Sequence, residues 1–230
     1  MSRIFFTADT HFNHANIIRF CKRPQLKPGD LDDTGHWVSP EIAHARAEKM
    51  NEMLVHNINE RVHPDDRVVS VGDFACRGGD ATHHRAPAEI MKDLNGKWTL
   101  IEGNHDKRNS VKCLCDFMVM RMAGFKVGVQ HRPLADEAAY LDYLERRTRA
   151  VDESCEAQWI DGMTEAARRR AWAHAAYCRA MLDFMIVGHV HDAWKTKKIA
   201  GMWHVNVGVD VHNYRPVTLQ EVVGIYQTLG

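Results

Sequence analysis

The chain has 230 residues, enough for one large domain with a substantial core or at most two small ones. Thirty lysines and arginines balance thirty aspartates and glutamates, so the formal net charge is zero. This balance argues against a strongly basic module that holds nucleic acid by bulk charge, although it leaves a local basic face open. We expect a single domain over residues 1–230.

The composition also bears on the location of the protein. The sequence contains no apolar run long enough to cross a bilayer, and its first residues contain no hydrophobic segment typical of a signal peptide. The six cysteines form no compact disulfide framework, so we expect reduced thiols. Together these features predict a cytoplasmic protein that does not associate with membranes.

Short apolar runs, rich in β-branched and aromatic residues and bounded by Gly, Asn or Asp, recur along the chain. They are typical of inner strands of an α/β sheet, which have no polar face. The predicted strands are Ile4–Ala8, Val68–Val71, Trp98–Glu102, Phe125–Val129, Phe184–Val187 and Trp203–Val205.

Helix signals alternate with the first three strands. A short helix is predicted over His14–Phe20, and a long helix is predicted to begin after Ser39 with Pro40 at its first position. A third helix over Pro87–Leu94 is ended by the following Asn-Gly pair. This βαβαβ alternation indicates a sheet covered by helices.

The second half of the chain departs from this alternation. The interval between His131 and Phe184 is rich in Ala, Glu and Arg and contains no strand candidate, so we predict a helical insertion at about 135–182. The insertion either covers the functional site or packs against a second copy of the chain, which would make a homo-oligomer. The segment Pro216–Val222 is predicted to be a turn or short element at the sheet edge.

Polar, metal-ligating residue types follow directly after the predicted strands. The runs are Asp9-x-His11, Gly72-Asp73, Gly103-Asn104-His105-Asp106, Gln130-His131, Gly188-His189-x-His191 and Asn206-x-Gly208. In open α/β sheets, ligands bind beyond the carboxyl ends of the strands, so residues that are distant in sequence can converge there. A pair of divalent metals needs a bridging carboxylate and terminal oxygen and imidazole ligands. Each short run is a weak signal alone, but the set predicts a two-metal site.

In order and spacing, the runs from Asp9 to His191 resemble the calcineurin-like metallophosphoesterases, whose pattern is D-x-H, G-D, G-N-H-D/E, H and G-H-x-H. The resemblance implies an α/β fold in the form of a four-layer αββα sandwich. It also implies that Asp73 bridges two metals. The implied terminal ligands are Asp9, His11 and His191 for the first metal, and Asn104, His131 and His189 for the second. The run Asp9–Ile18 and the segment Asn206–Asp210 are similar to a small bacterial and phage branch.

The resemblance further implies a hydrolase that attacks phosphorus with a metal-bound hydroxide. His105 would hydrogen-bond the substrate phosphate or protonate the leaving oxygen, and Asp106 would orient His105. Oxygen and imidazole ligands without thiolates suit manganese, which we expect, with iron, zinc and nickel as alternatives. The expected substrate is a phosphodiester of a nucleotide or a nucleic-acid end. A phosphomonoesterase, a nuclease and a non-catalytic metal-binding scaffold are the alternatives.

Three further residues are candidate substrate contacts. Asn13 and His14 lie just beyond the first motif, although a capped helix would carry similar residues. Arg77 can bind phosphate in a bidentate manner, although it is equally compatible with an ordinary surface arginine. Cys76 occupies the position at which protein phosphatases of the superfamily carry Asp in G-D-x-x-D-R-G. This departure disfavours a phosphoprotein substrate.

Overall fold

Two β-sheets lie face to face, and helices cover their outer surfaces. The computed structural model describes residues 2–76, 85–107, 111–138, 140–141 and 163–229. The strands of the first sheet are β1 (Ile4–Thr7), β2 (Arg67–Val71), β3 (Lys97–Ile101) and β9 (Val217–Thr218), in the order β3-β2-β1-β9. The second sheet contains β4 (Phe117–Met122), β5 (Phe125–Gln130), β6 (Phe184–Val187), β7 (Thr196–Ile199) and β8 (Met202–Asn206), in the order β4-β5-β6-β8-β7.

The helices are α1 (Ala15–Phe20), α2 (Pro40–Arg61), α3 (Pro87–Asp93), α4 (Glu165–Met181) and α5 (Leu219–Gln227). The first three pack on the outer face of the first sheet, and α4 packs on the outer face of the second. The α/β class and the four-layer αββα order predicted from the sequence are therefore confirmed.

Side chains that point alternately to the two faces of each sheet build the layers of the core. In β1, Phe5 packs against the helices, and its neighbour Phe6 packs between the two sheets. In β6, Phe184 lies between the sheets and Met185 packs toward α4. Successive side chains of a strand point to opposite faces, so a continuous apolar run fills two core layers at once. This is why these strands carry no polar face.

The predicted strands are confirmed to within one residue at each end, but two strands were missed. Strands β4 and β7 each lie at an edge of the second sheet. The sequence of β7, Thr-Lys-Lys-Ile, carries lysines, which are common on edge strands because they discourage pairing with other chains. Such a segment does not have the apolar pattern by which inner strands are predicted.

Helix α2 shows how local signals set an element. The Ser39 side chain accepts a hydrogen bond from the backbone N–H of Ile42 at 3.2 Å, and Pro40 occupies the first turn, as the sequence predicts. Met50, Leu54 and Ile58 share one face and are fully buried. This spacing places the apolar stripe against the first sheet.

Helix α4 confirms helical structure in the second half of the predicted insertion. Residues 142–162 lie outside the described residues, so the single-domain organisation and the extent of the insertion stay predictions. Within the ranges that the structure describes, no helix is both long and apolar enough to span a membrane.

Asp66 joins the start of β2 to the start of the chain. Its carboxylate accepts hydrogen bonds from the backbone N–H groups of Arg3 (2.7 Å) and His63 (3.0 Å) and from the Arg3 guanidinium (2.9 Å). Burial opposes the charged form, but these interactions lower the pKa of Asp66 to about 2 from its ordinary 3.8. Since the folded-state pKa is depressed, the stabilisation is present above about pH 4 and is lost as the pH falls toward 2.

We expect Asp66→Asn to lower the free energy of unfolding by about 2 kcal/mol at pH 7, because a hydrogen-bonded charge is removed. Urea unfolding at pH 7 and at several values below pH 4 measures the effect, which should shrink toward acid pH. Asp65→Asn is the control, because the Asp65 side chain is 92% exposed. An effect of Asp66→Asn that does not change with pH would contradict the proposed linkage.

Candidate metal centre

The loops that follow the strands of both sheets meet at one edge of the sandwich. The backbone N–H of Asp9 donates to Gly72 O at 3.1 Å, and that of His11 donates to Asp73 O at 3.0 Å. From the second sheet, the His189 N–H donates to the Asp9 carboxylate at 2.9 Å. The convergence predicted from the sequence is therefore present in the structure.

The backbone at this edge adopts an unusual conformation. Positive φ angles occur at Asp9 (55°), His11 (49°), Asp73 (53°), His189 (73°) and His191 (46°). Residues other than glycine seldom adopt the left-handed region, and such strain persists only where the surrounding structure imposes it. Each of these residues lies at the end of a strand, where the turn of the backbone directs its side chain into the site.

Among the described residues, four groups of side chains, some of which share residues, have the geometry to hold a metal ion, and two adjacent ones consist only of predicted ligands. Asp9, His11 and His191 form one group, in which all the ligand atoms lie within 4.8 Å of one another. Asp73, His131 and His189 form the second group, with the same spacing. All six were predicted as ligands. Asn104, the seventh predicted ligand, places Oδ1 3.2 Å from Nε2 of His131.

Asp73 joins the two groups through one carboxylate oxygen. Its Oδ2 lies 3.4 Å from Nε2 of His11 and 3.2 Å from Nε2 of His131. Burial opposes ionisation of Asp73, but the hydrogen bond from His131 and the positive charge of that ring hold its pKa well below the ordinary value. The oxygen therefore lies, as an anion, between a ligand of each group, which is the position of a bridging carboxylate.

The residues of the two groups fit divalent cations. Nε2 of His11 is buried and has no hydrogen-bond partner among the described residues. The Nε2 atom of His131 faces two oxygens, Oδ2 of Asp73 and Oδ1 of Asn104, each at 3.2 Å. Oxygen and imidazole donors gathered around one point are the donor set of Mn²⁺, Fe²⁺ or Zn²⁺.

The other nitrogen of each imidazole is used to hold the ring. Nδ1 of His131 lies 2.9 Å from the carbonyl oxygen of Val71, and Nδ1 of His11 lies 3.2 Å from Nδ1 of His14. Hydrogen bonds of this kind set the tautomer and orientation of metal-ligating histidines. Burial lowers the pKa of His11, and it lowers the pKa of His189 to about 3. Both rings are therefore neutral at neutral pH, as metal ligands must be.

Two glycines allow the loops to approach this closely. Gly72 has φ of +89°, and a Cβ atom there would collide with the His131 ring. A Cβ atom at Gly103 would collide with the backbone and carboxylate of Asp73. Glycine is therefore required at both positions because the two loops touch through them.

A buried ion pair that the sequence did not reveal supports the first group. Arg23 and Asp210 have side chains 0% and 2% exposed, and they form a bidentate pair at 2.8 and 2.9 Å. Arg23 also donates to the carbonyl oxygens of Asp9 (2.7 Å) and Thr10 (3.0 Å). Asp210 Oδ2 lies 2.9 Å from Nδ1 of His191. The pair therefore holds two predicted ligands, one through its backbone and one through its ring.

Arg23 and Asp210 lie 187 positions apart. Asp210 ends an apolar run after β8, which is the same signal that marked the other site residues. Arg23 follows α1 in a segment with no periodic or motif signal. Only the fold brings the two together.

His105 borders the site from a more open position. Its ring centroid lies 5.0 Å from that of His11 and 5.3 Å from that of His14. A hydrogen bond with the Cys76 thiol raises the pKa of His105 above its ordinary value. Cys76, which occupies the position of the phosphatase Asp, therefore contacts the predicted catalytic histidine. The raised pKa favours the protonated ring, which can donate a proton or bind an anion.

Asp106 is buried and binds backbone amides. Its carboxylate accepts hydrogen bonds from the N–H groups of Asp73 (2.8 Å), Phe74 (3.0 Å) and Gly103 (2.9 Å). These contacts give Asp106 a structural role, which is to fix the loop that carries the bridging Asp73. Its role in orienting His105 stays a prediction.

The three predicted substrate contacts differ in their position relative to the site. His14 is beside His11 and His105 at the site, and burial lowers its pKa to about 4. Asn13 is buried, with its amide group bonded to Asn51 and to the backbone oxygen of Arg85. These contacts hold the Asn13 amide in the packing beside α2, and its role in substrate binding stays a prediction. Arg77 lies outside the described residues.

Two nearby residues that were not predicted as ligands are used in packing. His204 accepts a hydrogen bond from the Leu134 N–H at 3.1 Å within the core. Asn206 donates to the backbone oxygens of His191 (2.9 Å) and Trp194 (2.8 Å). Asn206 therefore holds the loop that carries His191.

Fold and site together define the class: an α/β sandwich with candidate metal-binding groups where its two sheets end. No family model matches the chain. An uncharacterized protein of Methanocaldococcus jannaschii, MJ1445, is 33% identical over 133 residues, which are 58% of this chain and 60% of that protein. The match thus spans less than two thirds of the relative's length.

Solved structures extend the comparison of the fold. The protein of unknown function AQ665 from Aquifex aeolicus is 19% identical, with a TM-score of 0.59 over 98% of this chain and 100% of that one. It has the same fold. An archaeal phosphodiesterase is 14% identical, with a TM-score of 0.36 over 94% of this chain and 99% of that one. Similarity at that level does not carry its activity over to this chain.

Proposed function

We propose that the protein is a metal-dependent phosphoesterase with a dinuclear centre, and that it hydrolyses phosphodiesters of nucleotides or nucleic-acid ends. The observation that carries the proposal is the position of Asp73 Oδ2 between His11 and His131. The resemblance of the strand-end motifs to calcineurin-like metallophosphoesterases, and to their small bacterial and phage branch, supports the same reaction.

The side chains of the site have different proposed roles in metal binding and proton transfer. Two divalent cations bound there would lower the pKa of a coordinated water and offset negative charge on the phosphoryl oxygens. Asp9, Asp73 and Asn104 would supply the oxygen ligands, and the four imidazoles, which give up any bound proton to the metal, would complete the two sets. His105 keeps a proton beside the site and donates it to the leaving oxygen. Manganese is the metal that we propose, since no thiolate belongs to either group.

A diester is favoured over a phosphoprotein for two reasons. Cys76 replaces the Asp that protein phosphatases of the superfamily carry at this position, and it contacts His105. The site is also flanked by a cleft that can take a second substituent of the phosphate. A phosphomonoesterase is the alternative within the same chemistry.

The test compares bis-p-nitrophenyl phosphate with p-nitrophenyl phosphate, using metal-stripped protein reconstituted with Mn²⁺. We expect turnover that depends on added metal and is faster with the diester. Faster hydrolysis of the monoester would replace the diesterase proposal with the phosphatase. Absence of turnover with Mn²⁺, Fe²⁺, Zn²⁺ and Ni²⁺ would overturn the proposal and favour a non-catalytic scaffold.

A further inference from the structure

A cleft of about 540 Å³ opens directly beside the second metal group. Asn104 and His131 form the wall that it shares with the site, and Phe117, Gln130 and His174 line it farther out. These three residues come from β4, β5 and α4, so the wall is built on regular elements of the second sheet and its covering helix. A rigid wall of this kind suits selective binding because it loses little freedom when a ligand binds.

Gln130 is held in one orientation at this wall. Its Oε1 lies 2.7 Å from Nε2 of His174, and its Nε2 donates to the backbone oxygen of Arg132 at 2.6 Å. A carboxamide has two acceptor sites and two N–H donors, so one of each remains after these contacts. Burial lowers the pKa of His174, which keeps its ring neutral beside the amide. The fixed amide can therefore offer one donor and one acceptor side by side.

Two aromatic rings form a corner next to this amide. The rings of Phe117 and His174 are 4.6 Å apart between centroids and are inclined at 88°. A perpendicular pair presents one ring face and one ring edge to the same space. A flat heteroaromatic ligand can stack on the face while its polar edge reaches Gln130. Base stacking on aromatic side chains and bidentate pairing of Gln with a base are both established modes of recognition.

Four charged side chains also line the cleft, namely the carboxylates Glu102 and Asp116 and two cations. Arg132 and Lys107 both line it, and Arg132 follows the ligand His131 directly. Arg132 is partly buried. A partly buried guanidinium is stabilised by an anion, and a phosphate oxygen matches its fork of donors. The cleft thus combines a flat polar pocket with a guanidinium beside the second metal group.

We propose that this cleft binds the nucleoside that is attached to the scissile phosphate. Its base stacks in the corner of Phe117 and His174 and pairs with Gln130, while Arg132 and Lys107 attract the phosphate. The inference rests on the proposed function, to which it adds the place where the nucleoside binds and the residues that select it. The cleft then determines the choice of substrate, and the metal centre carries out the hydrolysis.

The test uses two diesters that share a leaving group, thymidine 5′-p-nitrophenyl phosphate and methyl p-nitrophenyl phosphate. The ratio of their kcat/KM values isolates the contribution of the nucleoside. We expect wild-type protein to favour the thymidine ester, and Gln130→Ala and Phe117→Leu each to lower that ratio about tenfold, mainly through KM. His174→Phe keeps a ring but removes the contact with Gln130, and it should lower the ratio less.

Gln220→Ala is the matched control, because Gln220 is exposed on α5, away from the cleft, and should leave the ratio unchanged. A wild-type protein without preference for the thymidine ester, or variants that lower both rates equally, would overturn the proposal. If neither ester is hydrolysed, the proposed function fails. Calorimetric titration with thymidine 5′-monophosphate then tests the cleft alone: binding that is lost in Gln130→Ala supports it, and absence of binding overturns it.

Discussion

Asp73→Asn is expected to abolish phosphodiester hydrolysis, lowering turnover by more than about 10³-fold. The substitution keeps the size of the side chain but removes the negative charge that lies between His11 and His131. It also weakens the acceptor that faces both rings, at 3.4 and 3.2 Å. Two cations sharing this oxygen would repel each other without the bridging charge. We therefore expect lower metal content as well as lower turnover.

The measurement pairs turnover of bis-p-nitrophenyl phosphate with metal content determined by elemental analysis after dialysis. Asp192→Asn is the control, because Asp192 is an exposed carboxylate next to His191 and outside both metal groups. It should retain activity and metal. Near wild-type turnover in Asp73→Asn would contradict the two-metal model. Full metal content without turnover would contradict the bridging role alone.

Arg23→Met is expected to lower the free energy of unfolding of the metal-stripped protein by about 3–5 kcal/mol. The reason is that the Asp210 carboxylate would keep its charge in a position that is only 2% exposed, without its bidentate partner. The substitution also removes the hydrogen bonds that the guanidinium donates to the carbonyl oxygens of Asp9 and Thr10. Urea unfolding measures the change. Metal affinity should fall about 10- to 100-fold, since the orientation of His191 depends on Asp210.

A double-mutant cycle separates this ion pair from general damage to the core. Asp210→Asn should also destabilise the fold, and the double variant should lose less stability than the sum of the two single variants. Arg85→Met provides the matched control, because the pair of Arg85 and Asp93 is 51% and 45% exposed. Removing an exposed pair should cost less than about 1 kcal/mol. Additive losses in the cycle would contradict the role of the pair in holding the site.

The candidate ligands could be predicted because strand ends leave a clear trace in the sequence. Asp9, Asp73, His131 and His189 each follow a run of residues that fills two core layers, so the run marks where the strand ends. A polar residue there lies at the edge of a sheet. The apolar run therefore predicts the strand, and the polar residue that follows it is predicted to lie at the end of that strand.

Edge strands and packing contacts left no comparable trace. Strand β7 is short and carries lysines, so its apolar pattern is weak. Asn13 carried the same polar signal as the ligands, but in the structure its amide binds Asn51 and the Arg85 backbone. A single polar residue type does not distinguish a ligand contact from a packing contact, because both need the same hydrogen-bonding groups.

Local periodicity and spacing in the sequence were enough to predict the inner strands, the helices that begin at Pro40 and Pro87, and the candidate metal ligands. Only the tertiary structure shows which strands make up each sheet and in what order, and it places Asp73 Oδ2 3.4 and 3.2 Å from two imidazoles. It also brought Arg23 to Asp210, and Gln130 to His174 on α4. These pairings join distant segments, and their energies depend on burial and on distances that no local pattern encodes.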